Sequence, residues 1–314
     1  MLKTEQSPFY TTKLIGLDKY FDQMLELYKS NSFPKVILLN GKKGIGKFTL
    51  IFHFLNYIYS INEKNPYDTK EKLISVKSIF YNMVLNQSCS DVIFFQAKEG
   101  GNIKIDDVRN LKSTLSKSTL TGNPRFIIID EVEFLNINSV NALLKTLEEP
   151  TLNNYFILIN NQQADLIDTI SSRCLKNNIY LNFDQRTNII DYLVKSRKIN
   201  LVFDDHGNLT PGLLLNYNEL YNKYKIDNEE NILSKLKKLL HAYKKDKNKD
   251  LPKMCVFLIE QFFYNLVKDN ENRIDFLLNI KLFVIKKIND FITYNLNVNT
   301  VIKSIELKIN NVRQ

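Results

Sequence analysis

Apolar residues in the first half of the chain fall into two alternating patterns. Short continuous runs lie at Val36–Leu39, within Asp91–Ala97, at Phe126–Ile129 and at Tyr155–Ile159. Runs of this length are too short for a helix and are typical of strands that are buried on both faces of a parallel sheet. Between them, apolar residues recur at helical spacing. Strands that alternate with helices predict an α/β fold with a parallel sheet.

The helical stretches of this half are predicted from their spacing. They are Leu17–Tyr28, Phe48–Tyr59, a stretch marked by Ile105, Val108, Leu111 and Leu115, and another marked by Val140, Leu143, Leu144 and Leu147. Asp106 and Asp107 stand at the start of the third, where acids favour the positive end of the helix dipole. The segment Ser60–Ser90 is polar and compatible with helix, and Gly100–Gly101 predicts a turn.

The second half of the chain lacks strand patterns. Asn182–Lys198 predicts a helix, Asp204–Asn208 a turn, and Pro211–Tyr224 a helix with proline at its start. From Asn228 to Ile309 the apolar residues keep a helical period. We therefore predict an all-helical second half.

The turn between the first predicted strand and helix matches the phosphate-binding pattern GxxxxGK at Gly41–Lys47. In that pattern the glycines let backbone N–H groups surround phosphates, and the lysine reaches the β and γ oxygens. Phe48 stands where serine or threonine would supply a magnesium ligand, and Thr49 follows one place late. A chance Gly/Lys-rich turn is the alternative interpretation.

Two acids, Asp130 and Glu131, follow the strand Phe126–Ile129 directly. Open α/β sheets bind ligands outside the carboxyl ends of their strands, so an acid there can hold a magnesium ion. The pattern suits a nucleotide-dependent protein. The alternative is that both acids only cap the helix that follows.

Length and composition set limits on these predictions. A chain of 314 residues exceeds the usual size of one hydrophobic core, so more than one domain is expected. No membrane span or signal peptide is visible, and we expect a cytoplasmic protein. Cys89, Cys174 and Cys255 lie too far apart for a disulfide framework or a CxxC zinc module. Their thiols are predicted to be reduced and buried.

The net charge of +9 suggests an anionic partner, although the excess is spread along the chain. Abundant lysine and asparagine can equally reflect AT-rich coding. The run Lys244–Lys249 is interpreted as a solvated interhelical loop rather than a DNA contact, because no aromatic residues interrupt it. A stand-alone DNA-binding module stays an alternative function, and it predicts DNA binding with a steep salt dependence.

Several motifs together resemble the AAA+ subunits of the bacterial DNA polymerase III clamp loader. They are Asp130–Glu131, NALLKTLEEP at Asn141–Pro150, YFILINN at Tyr155–Asn161 and SRC at Ser172–Cys174. The resemblance is dense over Ile15–Tyr180 and weak beyond. The length, the altered phosphate loop and the lack of an extension resemble the delta-prime subunits more than the gamma/tau motors.

The resemblance implies roles for particular residues. The Walker A loop is matched by Gly41, Gly44, Gly46 and Lys47, with Thr49 as a substitute hydroxyl. In Walker B, Asp130 matches the acid that organises magnesium and Glu131 the acid that orients water. Asn160 matches the first sensor, and Arg173 matches an arginine finger that acts on a neighbour's ATP. Asn160 as a turn former and Arg173 as a surface arginine paired to an acid are the alternatives.

Two departures from the family weaken the expectation of ATP hydrolysis. Phe48 removes a hydroxyl, and Leu213 stands where an arginine usually follows the PG of the second-sensor segment, here Leu209–Leu213. Losing one such stabiliser commonly costs about a hundredfold or more in rate. ATP with magnesium stays a candidate cofactor, but its turnover is expected to be weak or absent. The family's four-cysteine zinc module is missing, so zinc is not expected.

The resemblance implies a P-loop domain over residues 1–181, a small helical lid over 182–227 and a helical collar over 228–314 that mediates oligomerisation. It also implies a role in a ring with gamma/tau and delta subunits, which loads the sliding clamp onto primed DNA and thereby serves the DNA polymerase III holoenzyme. The alternative within this fold is a gamma/tau-like motor that hydrolyses ATP, with Thr49 reaching magnesium.

Overall fold

The structure, a computed structural model, describes residues 7–96, 105–115, 122–151, 153–202, 209–269 and 273–310. They form two compact units. Described residues within Met1–Ile199 and Leu209–Leu213 make up the first, and those within Asn200–Asn208 and Leu214–Gln314 the second. The predicted turns at Gly100–Gly101 and Asp204–Asn208 lie outside the described residues, and the division into three domains stays a prediction.

The first unit alternates strands and helices, as the apolar pattern predicts. Its elements are α1 Asp18–Lys29, β1 Val36–Asn40, α2 Lys47–Ser60, α3 Ile79–Leu85, β2 Val92–Gln96, α4 Ile105–Leu115, β3 Arg125–Asp130, α5 Ile137–Glu148, β4 Asn154–Asn160, α6 Asp168–Ser171, β5 Leu175–Asn178 and α7 Phe183–Arg197. Short 3-10 turns lie at Pro8–Tyr10 and Val132–Phe134.

The five strands form one parallel sheet in the order β2, β3, β4, β1, β5. Because the strands are parallel, the carboxyl ends of β1 and β3 lie on the same side of the sheet, with the end of β4 between them. Gly41–Lys47 follows β1, and Asp130 ends β3. The predicted α/β fold class, with a phosphate loop after the first strand, is confirmed, and the described residues beyond Tyr180 form helices and no strand.

Both faces of the sheet are buried, which explains the continuous apolar runs. In β3, Phe126 and Ile128 belong to the cluster that includes α1, α2 and α3, while Ile127 and Ile129 belong to the cluster that includes α4 and α5. The side chains of a strand alternate between faces, so a strand covered on both sides must be apolar at every position.

The sequence pattern misses one strand, β5. Leu175–Asn178 is polar and largely exposed, and within the described residues it pairs with β1 alone. Leu38 and Leu39 lie beside Lys176 and Asn177 in this pairing. Because β5 lies at the edge of the sheet and is short, it lacks the apolar run by which the other strands are recognised.

Two further expectations need correction. The segment Ser60–Ser90 was expected to be compatible with helix along its length, but its described residues contain only the short helix α3, with turns and isolated bridges before it. All three cysteines are free, as expected, but only Cys255 is buried, since Cys89 and Cys174 keep partial exposure.

The second unit is helical throughout its described residues. Its helices are α8 Pro211–Lys223, whose first residues belong to the first unit, α9 Ile232–Asp246, α10 Asp250–Asp269, α11 Ile274–Thr293 and α12 Val298–Asn310. α9 packs on α10 and α12, and α11 packs on the same two helices. None of the described helices combines the length and apolar character that a membrane crossing requires.

The buried residues of these helices follow the predicted period. Leu236, Leu239 and Leu240 of α9 are fully buried, as are Val284 and Ile288 of α11. Part of the lysine run was placed wrongly, because Lys244 and Lys245 lie in the last turn of α9 and not in a loop. Cations are favourable at that end of a helix, where the dipole is negative.

Candidate functional site

The phosphate loop needs its glycines for two physical reasons. Gly44 and Gly46 have φ values of +82° and +96°, a region that side chains rarely adopt. Gly41 has no room for a side chain, because a Cβ there would lie 2.5 Å from the carbonyl oxygen of Ile179. The loop predicted from the pattern GxxxxGK is therefore formed in the expected place, between β1 and α2.

The side chain of Lys47 turns back and binds backbone carbonyls of the phosphate loop. Its Nζ donates hydrogen bonds to the carbonyl oxygens of Gly41 at 2.6 Å and Lys42 at 2.8 Å, and the residue is only 3% exposed. Burial lowers the pKa of this amine to about 8, and the negative charges of Asp130 and Glu133 oppose that shift. Two backbone carbonyls of the loop therefore hold this amine, and its role toward phosphate stays a prediction.

Phe48 places an aromatic ring where the pattern requires a hydroxyl. The ring is buried and packs edge-on against Phe9, with a centroid distance of 5.0 Å, and at a tilt against Phe94, with a centroid distance of 5.4 Å. Thr49 is partly buried on α2. A residue one step along a helix points about 100° away, so Thr49 does not replace the lost hydroxyl in the same direction.

Asp130 lies at the end of β3 and is largely buried. Its Oδ1 accepts a hydrogen bond from Asn161 Nδ2 at 2.9 Å and another from the backbone N–H of Glu131 at 2.8 Å. Burial and the neighbouring charge of Glu131 raise the pKa of this carboxyl to about 6, while its hydrogen bonds and Lys47 act in the opposite direction. Such a carboxylate can attract a magnesium ion, which would restore its ionised form.

Glu131 adopts a left-handed backbone conformation, with φ of 58°. Its carboxylate forms an ion pair with Lys43 of the phosphate loop at 3.2 Å. The two residues matched to Walker B are thus brought to the loop, but Glu131 is engaged by a cation.

The polar side chain that reaches Asp130 is Asn161, which the sequence analysis did not select. Asn160 instead donates to Asn40 Oδ1 at 2.9 Å and accepts from the N–H of Gln162. In the sheet, Asp130 pairs with Ile159, so the residue two places further on, Asn161, shares its face. The sequence analysis selected Asn160 as the candidate, because the register of β4 against β3 could not be known from sequence.

Glu133 is a second residue that the sequence analysis missed. It is 7% exposed, and its two carboxylate oxygens accept from the backbone N–H of Asn161 at 3.0 and 3.2 Å. Glu133 therefore fixes the turn that presents the Asn161 amide to Asp130. No sequence motif marks Glu133, because it is a single acid two residues beyond Glu131.

The segment Leu209–Leu213, which was predicted to resemble a second sensor, lies against the phosphate loop through Thr210 and Gly212. Thr210 Oγ1 donates to the carbonyl of Lys43 at 2.6 Å, and Gly212 N–H donates to that of Gly44 at 2.8 Å. A Cβ on Gly212 would lie 2.8 Å from Gly44 Cα, so this approach requires glycine on both sides. Leu213, in the place of the family's arginine, brings no charge to the site.

Arg173 lies at the amino-terminal ends of the strands, whereas the phosphate loop lies at their carboxyl ends. It precedes β5 by two residues, and Leu175 at the start of β5 pairs with Ile37 near the start of β1. The phosphate loop begins only beyond the other end of β1. Four strand residues rise about 13 Å, so the sheet separates Arg173 from Gly41–Lys47. The structure does not bring this residue together with the other predicted site residues.

The donor set only partly fits a magnesium–nucleotide complex. Asp130 would hold the ion and Lys47 the phosphates, but position 48 offers no oxygen. Within the described ranges, no three His, Cys, Asp or Glu side chains meet in a way that could hold a metal ion. The expectation that zinc is not used stays a prediction.

Comparison with known proteins gives the family. A family model described as "DNA polymerase III, delta subunit" matches residues 16–182, which is more than half of the chain. The chain belongs to the DNA polymerase III delta-subunit family. The resemblance to DNA polymerase III delta-prime subunits, predicted from the motifs, is confirmed by this family together with relatives that carry the name delta'.

Individual relatives agree with this family. The chain is 27% identical over 297 residues to the DNA polymerase III subunit delta' of Buchnera aphidicola from Schizaphis graminum, which covers 88% of this chain and 85% of that protein. It is 33% identical over 162 residues to the subunit tau of Bacillus subtilis, which covers 51% of this chain and 27% of tau. A solved gamma subunit-related protein of Thermotoga maritima aligns over 90% of this chain and 97% of its own, with 20% identity and a TM-score of 0.48.

Proposed function

We propose that this chain acts as the delta' subunit of a DNA polymerase III clamp loader. It joins gamma/tau and delta subunits and assists the ATP-driven loading of the sliding clamp onto primed DNA. Within that assembly its chemical contribution is Arg173, which completes the ATP site of a neighbouring subunit. Its own ATP site is weak or inactive. Membership of the delta-subunit family and the delta' and tau relatives support the assembly.

The observation that carries the proposal is the position of Arg173. Its side chain is 32% exposed and lies at the amino-terminal ends of the strands, away from the phosphate loop of this chain at their carboxyl ends. This position supports a phosphate target on another molecule rather than at the home loop. Its planar guanidinium suits this work, because its fixed donors match phosphate oxygens and neutralise charge in the transition state.

Features of the home site support a low ATPase activity of the chain itself. Phe48 supplies no magnesium ligand, and Leu213 supplies no charge. Glu131, which would orient water, is paired with Lys43. Phosphoryl transfer depends almost wholly on positioning and charge stabilisation, so these three changes act on the same step.

The test is ATP hydrolysis by a reconstituted loader that contains either the natural chain or Arg173→Ala. We expect the DNA- and clamp-stimulated rate to fall about tenfold or more, since arginine fingers contribute at least that factor. Size-exclusion chromatography should show an intact complex. The isolated chain provides the baseline, and we expect no ATP turnover from it.

The matched control is Lys176→Ala, which removes an exposed cation three residues away on β5. Its rate should stay at the natural level. An unchanged rate for Arg173→Ala in an assembled loader would overturn the finger role, and the family assignment would remain.

A further inference from the structure

Glu148, the last residue of α5, holds the guanidinium of Arg173. Arg173 Nε donates to Glu148 Oε1 at 2.5 Å, and Nη1 donates to the carbonyl oxygen of Thr169 at 2.8 Å, with a longer contact to Ser172 Oγ at 3.4 Å. The planar group is thus fixed by acceptors on two different helices, α5 and α6. Two fixed bonds determine the plane in which its remaining donors point.

Of the guanidinium nitrogens of Arg173, Nη2 is the one available to donate hydrogen bonds to another group. In the described part of the chain, Nη2 has no hydrogen-bond partner. Nε and Nη1 are the nitrogens that face the protein. Nη2 therefore keeps its donors available on a side chain that is 32% exposed and held by two bonds.

The position of Glu148 is unfavourable for the helix that carries it. The carboxyl end of a helix has a partial negative charge, and an acid there costs about 0.3–1 kcal/mol. Glu148 and Glu149 both stand at this end of α5. Of the two, only Glu148 has a side-chain partner among the described contacts, and this partner is Arg173. An acid in such a place is explained by the arginine that it binds.

We propose that Glu148 is a positioning residue for Arg173, acting through its carboxylate oxygen to aim the guanidinium at the phosphate of a neighbouring subunit's nucleotide. This inference rests on the proposed function of Arg173. Glu148 itself touches no substrate. A side chain that is already oriented gives up less conformational freedom in the transition state, so loss of Glu148 should lower kcat more than it changes KM.

The test compares Glu148→Ala and Glu148→Gln in the reconstituted loader over a range of ATP concentrations up to saturation. Glutamine keeps an oxygen at the same place, so Glu148→Gln should retain most of the rate. Glu148→Ala should lose about half or more of the rate that Arg173→Ala loses, with the KM for ATP changed by less than about twofold. Glu149→Ala, which removes the same charge one residue away, should leave the rate unchanged.

A double variant separates positioning from a general structural effect. Since Glu148 acts through Arg173, adding Glu148→Ala to Arg173→Ala should cause no further loss. If Arg173→Ala lowers the rate but Glu148→Ala does not, or raises it, the positioning role is wrong and the finger role stands. If Arg173→Ala itself has no effect, the proposed function fails. If Glu148→Gln is as slow as Glu148→Ala, the oxygen is not what orients the arginine.

Discussion

Asp130→Asn should stabilise the first unit of this protein. The carboxyl is largely buried beside Glu131, and burial together with that charge raises its pKa from 3.8 to about 6. Folding therefore disfavours its ionised form. Asparagine keeps the Oδ1 atom that accepts from Asn161 and from the N–H of Glu131, so the substitution removes the charge and retains both hydrogen bonds.

The size of the gain follows from the shift in pKa. Each pKa unit corresponds to about 1.4 kcal/mol, so a rise of about two units costs the native state about 3 kcal/mol when the group is fully ionised. Residual exposure of Asp130 lowers this figure, and we expect a gain of about 1–2 kcal/mol at neutral pH.

The sign of the pH dependence makes the prediction specific. Between pH 3.8 and about 6 the native carboxyl holds its proton while the unfolded one has lost it, so the cost grows as the pH rises through this window. The stability advantage of Asp130→Asn should therefore be largest above pH 6 and absent below pH 3.8. At about pH 5 it should be roughly half of its value at about pH 7.5.

Hydrogen exchange measured by mass spectrometry on β3 and β4 peptides reports the opening free energy of the first unit alone. This matters because a chain of two units need not unfold in one step. The control is Asp165→Asn, an exposed acid in the same unit. Equal protection of variant and natural chain at neutral pH, or a gain that does not change with pH, would refute the electrostatic argument.

Two further predictions concern the first unit. Burial lowers the pKa of His53 from 6.5 to about 4, between the Tyr67 hydroxyl and the Thr11 carbonyl, so stability should fall by up to about 3 kcal/mol as pH drops through that window. His53→Gln should flatten this acid slope in urea titrations, and an unchanged slope would contradict the assignment. Gly212→Ala places a Cβ 2.8 Å from Gly44 Cα and should accelerate amide exchange in Gly41–Lys47, whereas unaltered exchange would show that the contact does not hold the loop.

The parts of the fold that could be predicted from sequence are those in which burial fixes residue type. Phe126–Ile129 and Tyr155–Ile159 must be apolar because helices cover both faces of the sheet. The phosphate loop was predictable for a different reason, since Gly44 and Gly46 adopt backbone angles that other residues avoid.

The rest depended on information that a single sequence does not contain. Strand β5 is an exposed edge and lacks an apolar run. The choice between Asn160 and Asn161 required the register of β4 against β3. The pairing of Glu148 with Arg173 joins residues 25 positions apart, and only the fold brings them together. Sequence motifs therefore predicted where the loop and the two acids lie along the chain, but could not give the geometry between them.

The polar character of the edge strand β5 disfavours its pairing with a strand of another molecule. Edge strands present unpaired backbone groups that can recruit a strand of another molecule and start aggregation. Leu175–Asn178 is short and carries Lys176 and two asparagines beside one exposed apolar residue, Leu175, and its shortness and charge discourage such pairing. A short border of this kind gives a second copy of the chain little backbone to which it could add a strand.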